Sequence, residues 1–386
     1  MVPNLRFNGY TENWQKYRTI ELGQMQRGKS KHRPRDDEKL YGGAYPFIQT
    51  GDIKKANLYI KEYERTYSNY GLSQSKLWSK GTLCITIAAN IAETAILGLN
   101  ACFPDSVIGW ISNEKITNNI FIKYYFDFYK TQLKRLSVGG AQENLNLDKL
   151  ENVYFHIPTL PEQNDITNLL TKIDELIETQ IKIIEEYVIL KNSLIHRFFT
   201  MDNPKVKLST ILTEINIKNK NKQIDTVLSV SNKLGFIKQS EQFEDREVAS
   251  DDTSNYKIVN KGDYAYNPAR INVGSIARLI NYDKGIISPM YSCFKINEKK
   301  ITYTYFDMFL SSFSFKRQLN KKLEGSVRQC LTFEGMLSMD IELPCIETQK
   351  SISNKIDMLN YKIKLESDYR EALIKQKQFL LNNMFI

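Results

Sequence analysis

The chain has 386 residues, more than one hydrophobic core ordinarily serves, which predicts two or more domains. Lysine and arginine outnumber aspartate and glutamate 53 to 44, a net charge of +9 that favours a polyanionic partner. Five cysteines (Cys84, Cys102, Cys293, Cys330, Cys345) stand without a CxxC pair, which argues against a zinc site and a disulfide framework. The terminus Met1-Val2-Pro3-Asn4-Leu5-Arg6 lacks the apolar core of a signal peptide, and the most apolar stretch, Leu83 to Leu99, is broken by Asn90 and Glu93. A soluble, cytoplasmic chain with reduced thiols is expected, with no membrane partner.

In chain order, the first feature is the segment Gln26-Arg27-Gly28-Lys29-Ser30-Lys31-His32-Arg33-Pro34-Arg35, a loop broken by glycine and proline and dense in positive charge. The polar turn Gln49-Thr50-Gly51-Asp52 follows. The runs Leu83-Cys84-Ile85-Thr86-Ile87 and Ala95-Ile96-Leu97 have the composition of strands. Asn118 to Leu136 carries an aromatic-rich helical period, and its Phe and Tyr side chains are expected in a core rather than stacked on bases. Then Ile166, Leu169, Leu170, Ile173, Leu176 and Ile177 open a three-and-four spacing that runs to Phe198. Thr159 and Glu162 fit a capping box, Pro161 suits the first turn, and Asn203-Pro204 ends the run. A helix from Glu162 to Phe199, roughly 55 Å long at about 1.5 Å per residue, outgrows one compact domain and needs a long partner.

The second half repeats the plan. Lys218, Lys220 and Lys222 and then Ser231-Asn232-Lys233 lead to the strand signals Tyr264-Ala265-Tyr266 and Ile286-Ile287, with Arg270 and Asn272 near a strand end. Thr302 to Leu323 is a further aromatic-rich helical stretch. A second long helix follows on Ile352, Ile356, Leu359, Ile363, Leu373, Leu380 and Met384, its stripe narrowed where Lys355 and Lys362 replace Leu169 and Leu176. From Gly139 onward an offset of 186 reaches a counterpart without a gap: Gly325, then Leu331 for Leu145, Pro344 for Pro158, Gln349 for Gln163, Leu380 for Leu194. Tyr125-Phe126-Asp127 answers Tyr305-Phe306-Asp307 at an offset of 180. A period of this length is a duplicated domain rather than a solenoid repeat. Gln180 and Glu366 interrupt the two stripes at equivalent positions, either to fix a register or in contact with solvent.

Gly140-Ala141-Gln142-Glu143-Asn144-Leu145, then Ile157-Pro158-Thr159-Leu160-Pro161-Glu162-Gln163 and a long helix, resembles the conserved region of type I restriction-modification specificity subunits. Gly325-Ser326-Val327-Arg328-Gln329-Cys330-Leu331, with Leu343-Pro344 and Thr348-Gln349, is a degraded copy, Cys330 replacing Asn144 and Thr348 replacing Glu162. The resemblance implies an α+β fold with internal pseudo-twofold duplication. Two target-recognition domains of mixed sheet and helix, residues 1–158 and 203–344, are separated by conserved long helices, 159–202 and 345–386, that form an antiparallel coiled coil. It further implies a non-catalytic subunit that reads both halves of a bipartite double-stranded DNA site and docks two methyltransferase subunits and, through them, restriction/translocase subunits. S-adenosylmethionine, ATP and magnesium are then expected in the partners and no cofactor in this chain.

Within that frame Arg27, Lys29, Lys31, Arg33, Arg35, Gln49 and Thr50 are candidates for DNA contact in the first half. Lys218, Lys220, Lys222, Ser231, Asn232, Lys233, Arg270 and Asn272 are their counterparts in the second. Helix pairing and partner docking fall to Ile166, Leu170, Ile173, Ile177, Ile184, Tyr187 and Leu194 with Ile352, Ile356, Leu359, Ile363, Leu373 and Leu380. Catalytic readings are weaker. Asn267-Pro268-Ala269-Arg270 lacks the stacking aromatic of an adenine methyltransferase motif and reads as a turn. Asp283, Glu298 and Lys300 have a nuclease-like spacing that lysine-rich loops often produce, and His32, His156 and His196 are widely scattered. Two alternatives stay open: a coiled-coil adaptor without a DNA role, and a specificity subunit of another DNA-methylation defence system.

Overall fold

The computed structural model describes residues 1–386 except 89, 138–144, 146, 200–202, 233, 243–251 and 325–328. The glycine-led motifs at 139–144 and 325–328 and Lys233 therefore lie outside the described residues. The chain divides into two compact units, residues 1–183 with 366–386 and residues 184–365, so the division falls inside both long helices.

In the first unit a five-stranded sheet runs in the order Gly23–Arg27, Val107–Ser112, Leu83–Thr86, Thr94–Leu97, Tyr59–Ile60. Its pairs are antiparallel except the last. Leu83 to Thr86 and Thr94 to Leu97 are buried throughout, as expected for β-branched and small apolar residues enclosed on both faces. The helix Asn119–Ser137 lays Phe121, Tyr124, Tyr125 and Phe126 into the core with Trp110 and Phe155, so its aromatic periodicity is core packing. Gln15–Arg18 pairs with Tyr154–Ile157 and leads into the first long helix, Leu160–Phe198.

The second unit repeats this core. Its sheet Leu212–Ile215, Ser292–Ile296, Tyr264–Tyr266, Ile276–Arg278 has the strand order of the first four strands above, again antiparallel throughout. A second sheet, Gly235–Lys238, Val227–Ser231, Lys284–Ile287, Lys257–Asn260, completes it. The stretch from Thr302 forms two helices, Tyr303–Ser311 and Phe313–Lys322. The break falls at Ser312, whose extended backbone and hydroxyl cap the second helix through the Phe315 N–H. Lys205–Lys207 pairs with Asp340–Glu342, matching Gln15–Arg18 with Tyr154–Ile157, and the second long helix is Ile346–Met384.

The long helices run antiparallel. In the first unit the Lys377 ammonium meets Asp174 at 2.7 Å and the Gln180 amide donates to Glu366, so rising numbers on one helix face falling numbers on the other. In the second unit Lys191 donates to Asn360 at 3.3 Å. Asn360 and Lys377 are the counterparts of Asp174 and Lys191 at the offset of 186. The buried ion pair of one unit thus becomes an exposed amide contact in the other. Ile166, Leu170, Ile173 and Ile177 are at most 6% exposed and share a core with Leu373 and Leu380. Ile352 and Ile356 are buried with Ile195 and Phe199, with Leu194 and Leu359 half-buried beside them. Ile184, Tyr187 and Ile363 are only half-buried.

Candidate nucleic-acid interface

Strand register decides which loops share an end of each sheet. In the second unit Ile215 lies opposite Cys293, Tyr266 opposite both Ser292 and Ile276, and Leu228 and Lys257 opposite Ile287. The chain leaving Ile215, the turn after Ser231, residues 253–256, the turn 267–275 and the link 288–291 therefore gather at one end of both sheets. Lys218 bridges Lys257, whose ammonium donates to the Tyr291 carbonyl at 2.9 Å. Lys218, Lys220, Lys222, Ser231, Asn232, Arg270 and Asn272, scattered over 55 positions of sequence, all belong to this end.

Within it two groups separate. Asn232 borders the turn Arg270 to Gly274: a Cβ placed on Gly274 meets the Asn232 Cβ at 3.7 Å, and Gly274 itself has a φ of +92° that an L side chain rarely adopts. Arg270, Asn272 and Asn232 are all exposed. The second group is Lys218, which donates to Asn255 at 3.3 Å, the exposed Lys220, and Lys222, which pairs with Asp252 at 3.2 Å. The Asp252 carboxyl is pushed down to about 2, first by the Ser254 N–H and hydroxyl and then by Lys222. Ser231 is half-buried at the strand end, where the chain enters the exposed turn.

The same end exists in the first unit, where Arg27 lies opposite Ile108, Thr86 opposite Val107 and Ile85 opposite Thr94. The basic loop leaves the sheet here, in the place that Lys218 to Lys222 take after the matching strand of the second unit. It is held by main chain: Gly28 donates to Val107 at 2.8 Å, Lys29 to Phe103 at 3.2 Å and Lys31 to Gln74 at 3.1 Å. Gly28 is required, because a Cβ there would stand 2.3 Å from the Pro104 oxygen. Ile48 donates to Cys102 at 2.8 Å, so Gln49 and Thr50, at the start of the helix Thr50–Lys55, flank the same stretch from its other side. Gln49 and Thr50 are half-buried, and the Gln49 N–H is taken by Asp52 at 2.8 Å.

The candidate cations differ in availability. Arg27, Lys29 and Lys31 are exposed and form no ion pair among the described residues. Arg35 places one terminal nitrogen 2.9 and 3.0 Å from the two oxygens of Asp105, and Arg33 turns back on the carbonyls of Ser30 and His32 at 2.7 and 2.8 Å. These two arginines shape the loop before they offer charge to a ligand. His32 is fixed between Asp37 at 2.8 Å and the Tyr70 hydroxyl at 3.1 Å. The Asp37 carboxyl is lowered first by the Lys39 N–H and then by His32. Sequence reasoning passed over Lys76, which lies 3.7 Å over the Trp78 ring and donates to Gln26 at 2.5 Å. Only the fold joins these partners across 50 positions.

The other chemistry-bearing residues are not brought together. Asp283 pairs with Lys261 at 3.3 Å, Glu298 accepts from Tyr303 at 2.8 Å, and Lys300 donates to the Thr210 carbonyl at 3.3 Å. Asn267 makes the turn read from the sequence, its side chain accepting from the Ala269 N–H at 3.0 Å. Among the described residues no three His, Cys, Asp or Glu are placed to hold a metal ion, and no helix is long and apolar enough to cross a membrane. Cys84, Cys102 and Cys293 are buried, and burial pushes the Cys293 thiol up to about 12.

The repeated Gln163 and Gln349 have a role that the sequence did not disclose. The Gln163 amide donates to the carbonyls of Ile116 and Pro158 at 2.8 and 2.9 Å and accepts from the Thr117 hydroxyl at 2.8 Å. Gln349 donates to Lys300 and Pro344 at 2.9 and 2.8 Å and accepts from the Thr302 N–H at 2.9 Å. Each clamps the start of a long helix to its own domain. Glu162 binds Arg6 at 2.7 and 2.8 Å through its two oxygens.

The family model described as the type I restriction modification DNA specificity domain matches residues 11–186. The type I restriction enzyme MjaVIII specificity subunit of Methanocaldococcus jannaschii is 21% identical over 403 residues, covering 96% of this chain and 92% of that one. The MjaIX specificity subunit of the same organism is 26% identical over 180 residues, 44% of this chain and 40% of that one. A further specificity-subunit sequence from it is 26% identical over 192 residues, with 49% and 43% covered. In these last two alignments the chain spans less than half the length of its relative. Among solved structures, the type I restriction-modification S subunit from M. genitalium superposes with a TM-score of 0.61 at 14% identity, covering 100% of this chain and 99% of that one. A chain from a study of complex assembly and conformational transition in a type I system gives 0.59 at 13% identity, covering 96% and 97%. The structural matches support the fold, and the family model over residues 11–186 and the full-length relative carry the likeness in sequence: the chain is similar to the DNA specificity subunits of type I restriction-modification systems.

Proposed function

We propose that this subunit reads a bipartite double-stranded DNA site, one half-site by each unit, through the loop end of its sheets. The observation that carries this reading is the duplicated sheet core, which puts Arg27 to Lys31 and Lys218 to Lys222 at equivalent places in the two units. Exposed lysines there suit phosphate contact, while Gln49, Asn232, Arg270 and Asn272 have the donors and acceptors for base edges. Arg33, Arg35, Thr50, Ser231 and Lys233 complete the candidate set. Residues 1–158 and 203–344 act as the target-recognition domains, and the helices of 159–202 and 345–386 as the spacer that docks two methyltransferase subunits. Restriction/translocase subunits join through those.

S-adenosylmethionine, ATP and magnesium act in the partners, in the cytoplasm. The purified chain is expected neither to bind S-adenosylmethionine nor to methylate DNA alone. Mapping methylated adenines in the genome that carries this gene tests the function directly. A split motif that vanishes on deletion of the gene is the expected result, and an unchanged methylation map would refute the reading.

A further inference from the structure

We infer that the second unit carries a separate basic cleft, formed by Arg317, Lys321 and Lys322 facing Lys205 and Lys207, that holds the phosphodiester backbone of duplex DNA without regard to sequence. The inference rests on the reading of the chain as a DNA-binding subunit and adds a second contact surface to it.

The cleft has a volume of about 420 Å³. One wall is the helix Phe313–Lys322, whose Ser314, Arg317, Gln318, Lys321 and Lys322 fall at intervals of three and four and so form one stripe. The facing wall is the strand Lys205–Lys207 with its partner Asp340–Glu342. His196, near the end of the first long helix, lines the rim. The walls are fixed to each other: Gln318 donates to the Asp340 carbonyl and accepts from the Asp340 N–H, both at 2.8 Å. The cleft is therefore formed before any ligand arrives.

Its charge is unbalanced. Lys205 stands across the strand pair from Glu342 at 3.7 Å and Lys207 from Asp340 at 2.9 Å, so each carboxylate of the cleft already has a lysine. Arg317, Lys321 and Lys322 have no carboxylate within ion-pair range among the described residues. Like charges four apart on a helix destabilise it, and Arg317 and Lys321 are so placed. An anion in the cleft removes that repulsion. Three cations within two helical turns match a row of closely spaced phosphates better than a single small anion.

The cleft is distinct from the loop end. Lys207 precedes the turn Leu208–Thr210 and the strand that starts at Leu212, and Leu212 lies opposite Ile296 at the far end of the sheet from Ile215 and Cys293. Contacts here are expected to hold DNA that the reading loops do not inspect.

The test is a salt series on the full chain, alone and assembled with its methyltransferase subunits, binding a random-sequence duplex of about 30 base pairs. In the triple variant R317Q/K321Q/K322Q the slope of log affinity against log salt is expected to shrink by about 2 to 3, at roughly 0.9 per lost phosphate contact. Glutamine matches lysine in helix propensity, and Lys322→Gln alone, with an expected change of about 0.9, keeps the test readable if the triple variant does not fold. The charge-keeping variant R317K/K321R/K322R should retain the wild-type slope. An unchanged slope in the glutamine variants overturns the inference. So does intact duplex binding with lost assembly, which would assign the cleft to an acidic protein segment. If the wild-type chain binds duplex neither alone nor in complex, the DNA-reading function fails first.

Discussion

Gln163 and Gln349 show how a single residue type is fixed by what it satisfies. Each is fully buried and meets two carbonyls and one donor, so truncation strands three polar groups away from water. At about 1–3 kcal/mol per orphaned group, partly relieved by relaxation, Gln163→Ala is expected to destabilise the first unit by about 3 kcal/mol in urea unfolding. A loss below about 1 kcal/mol would show that the clamp is dispensable. The sequence displayed both glutamines as a repeated letter, but the letter does not say which carbonyls it will meet. Arg35 makes the same point in reverse. It read as a ligand-binding cation, while its partner Asp105 lay 70 positions away and came near only on folding. His156 adds a pH dependence. Burial, and after it the charge of Lys16, holds its imidazole below the usual value, so the folded state binds fewer protons than the unfolded state just below pH 6.5. Stability is expected to fall as pH drops through that window, and His156→Gln should flatten this part of the curve in unfolding measured at a series of pH values.

At the scale of elements, helices and strands were readable because their hydrophobic periods are local. Both long helices, the strands that hold Ile85 and Ala265, and the two aromatic helical stretches could be placed from spacing alone. The break at Ser312 was not, since a serine in a helical pattern acts as a cap only when its backbone is extended. The register of the helix pair also depended on distant partners: Gln180 is buried and donates to Glu366, which decides between the two readings of those polar interruptions. An insertion meant to lengthen the spacer belongs in this seam. Phe199 is buried against Tyr305 and Phe309, so residues added after it would follow an anchor of the second unit and leave the seam unchanged. Four helix-forming residues placed after Ile183 and four more after Leu365 add roughly 6 Å to each helix at about 1.5 Å per residue. With about 3.4 Å per base pair along a strand, the unread spacer should grow by about one to two base pairs. Methylation mapping of an active variant with an unchanged spacer would show that the helices do not measure the gap.

For the whole molecule, the duplication was legible from the constant offset of 186, and the common order of four strands in each unit gives it a structural basis. The limits of the compact units were less legible, because periodicity marks where a helix runs but not which core each turn of it joins. Reading loops that hang from one end of a repeated frame should be exchangeable. Replacing residues 14–157 with the corresponding segment of a type I specificity subunit is expected to change one half-site and leave the other, as read from methylated motifs. A change in both half-sites would mean that recognition is not divided between the units. The glutamine clamps bear on how such grafts should be cut. Gln163 grips the carbonyls of Ile116 and Pro158, and Gln349 those of Lys300 and Pro344, groups that every residue supplies whatever its side chain. A donor segment needs to reproduce a backbone path at these joints and, for Gln163, a hydroxyl donor where Thr117 stands, so chimaeras joined just before each glutamine inherit a coupling that tolerates otherwise unrelated sequence on its far side.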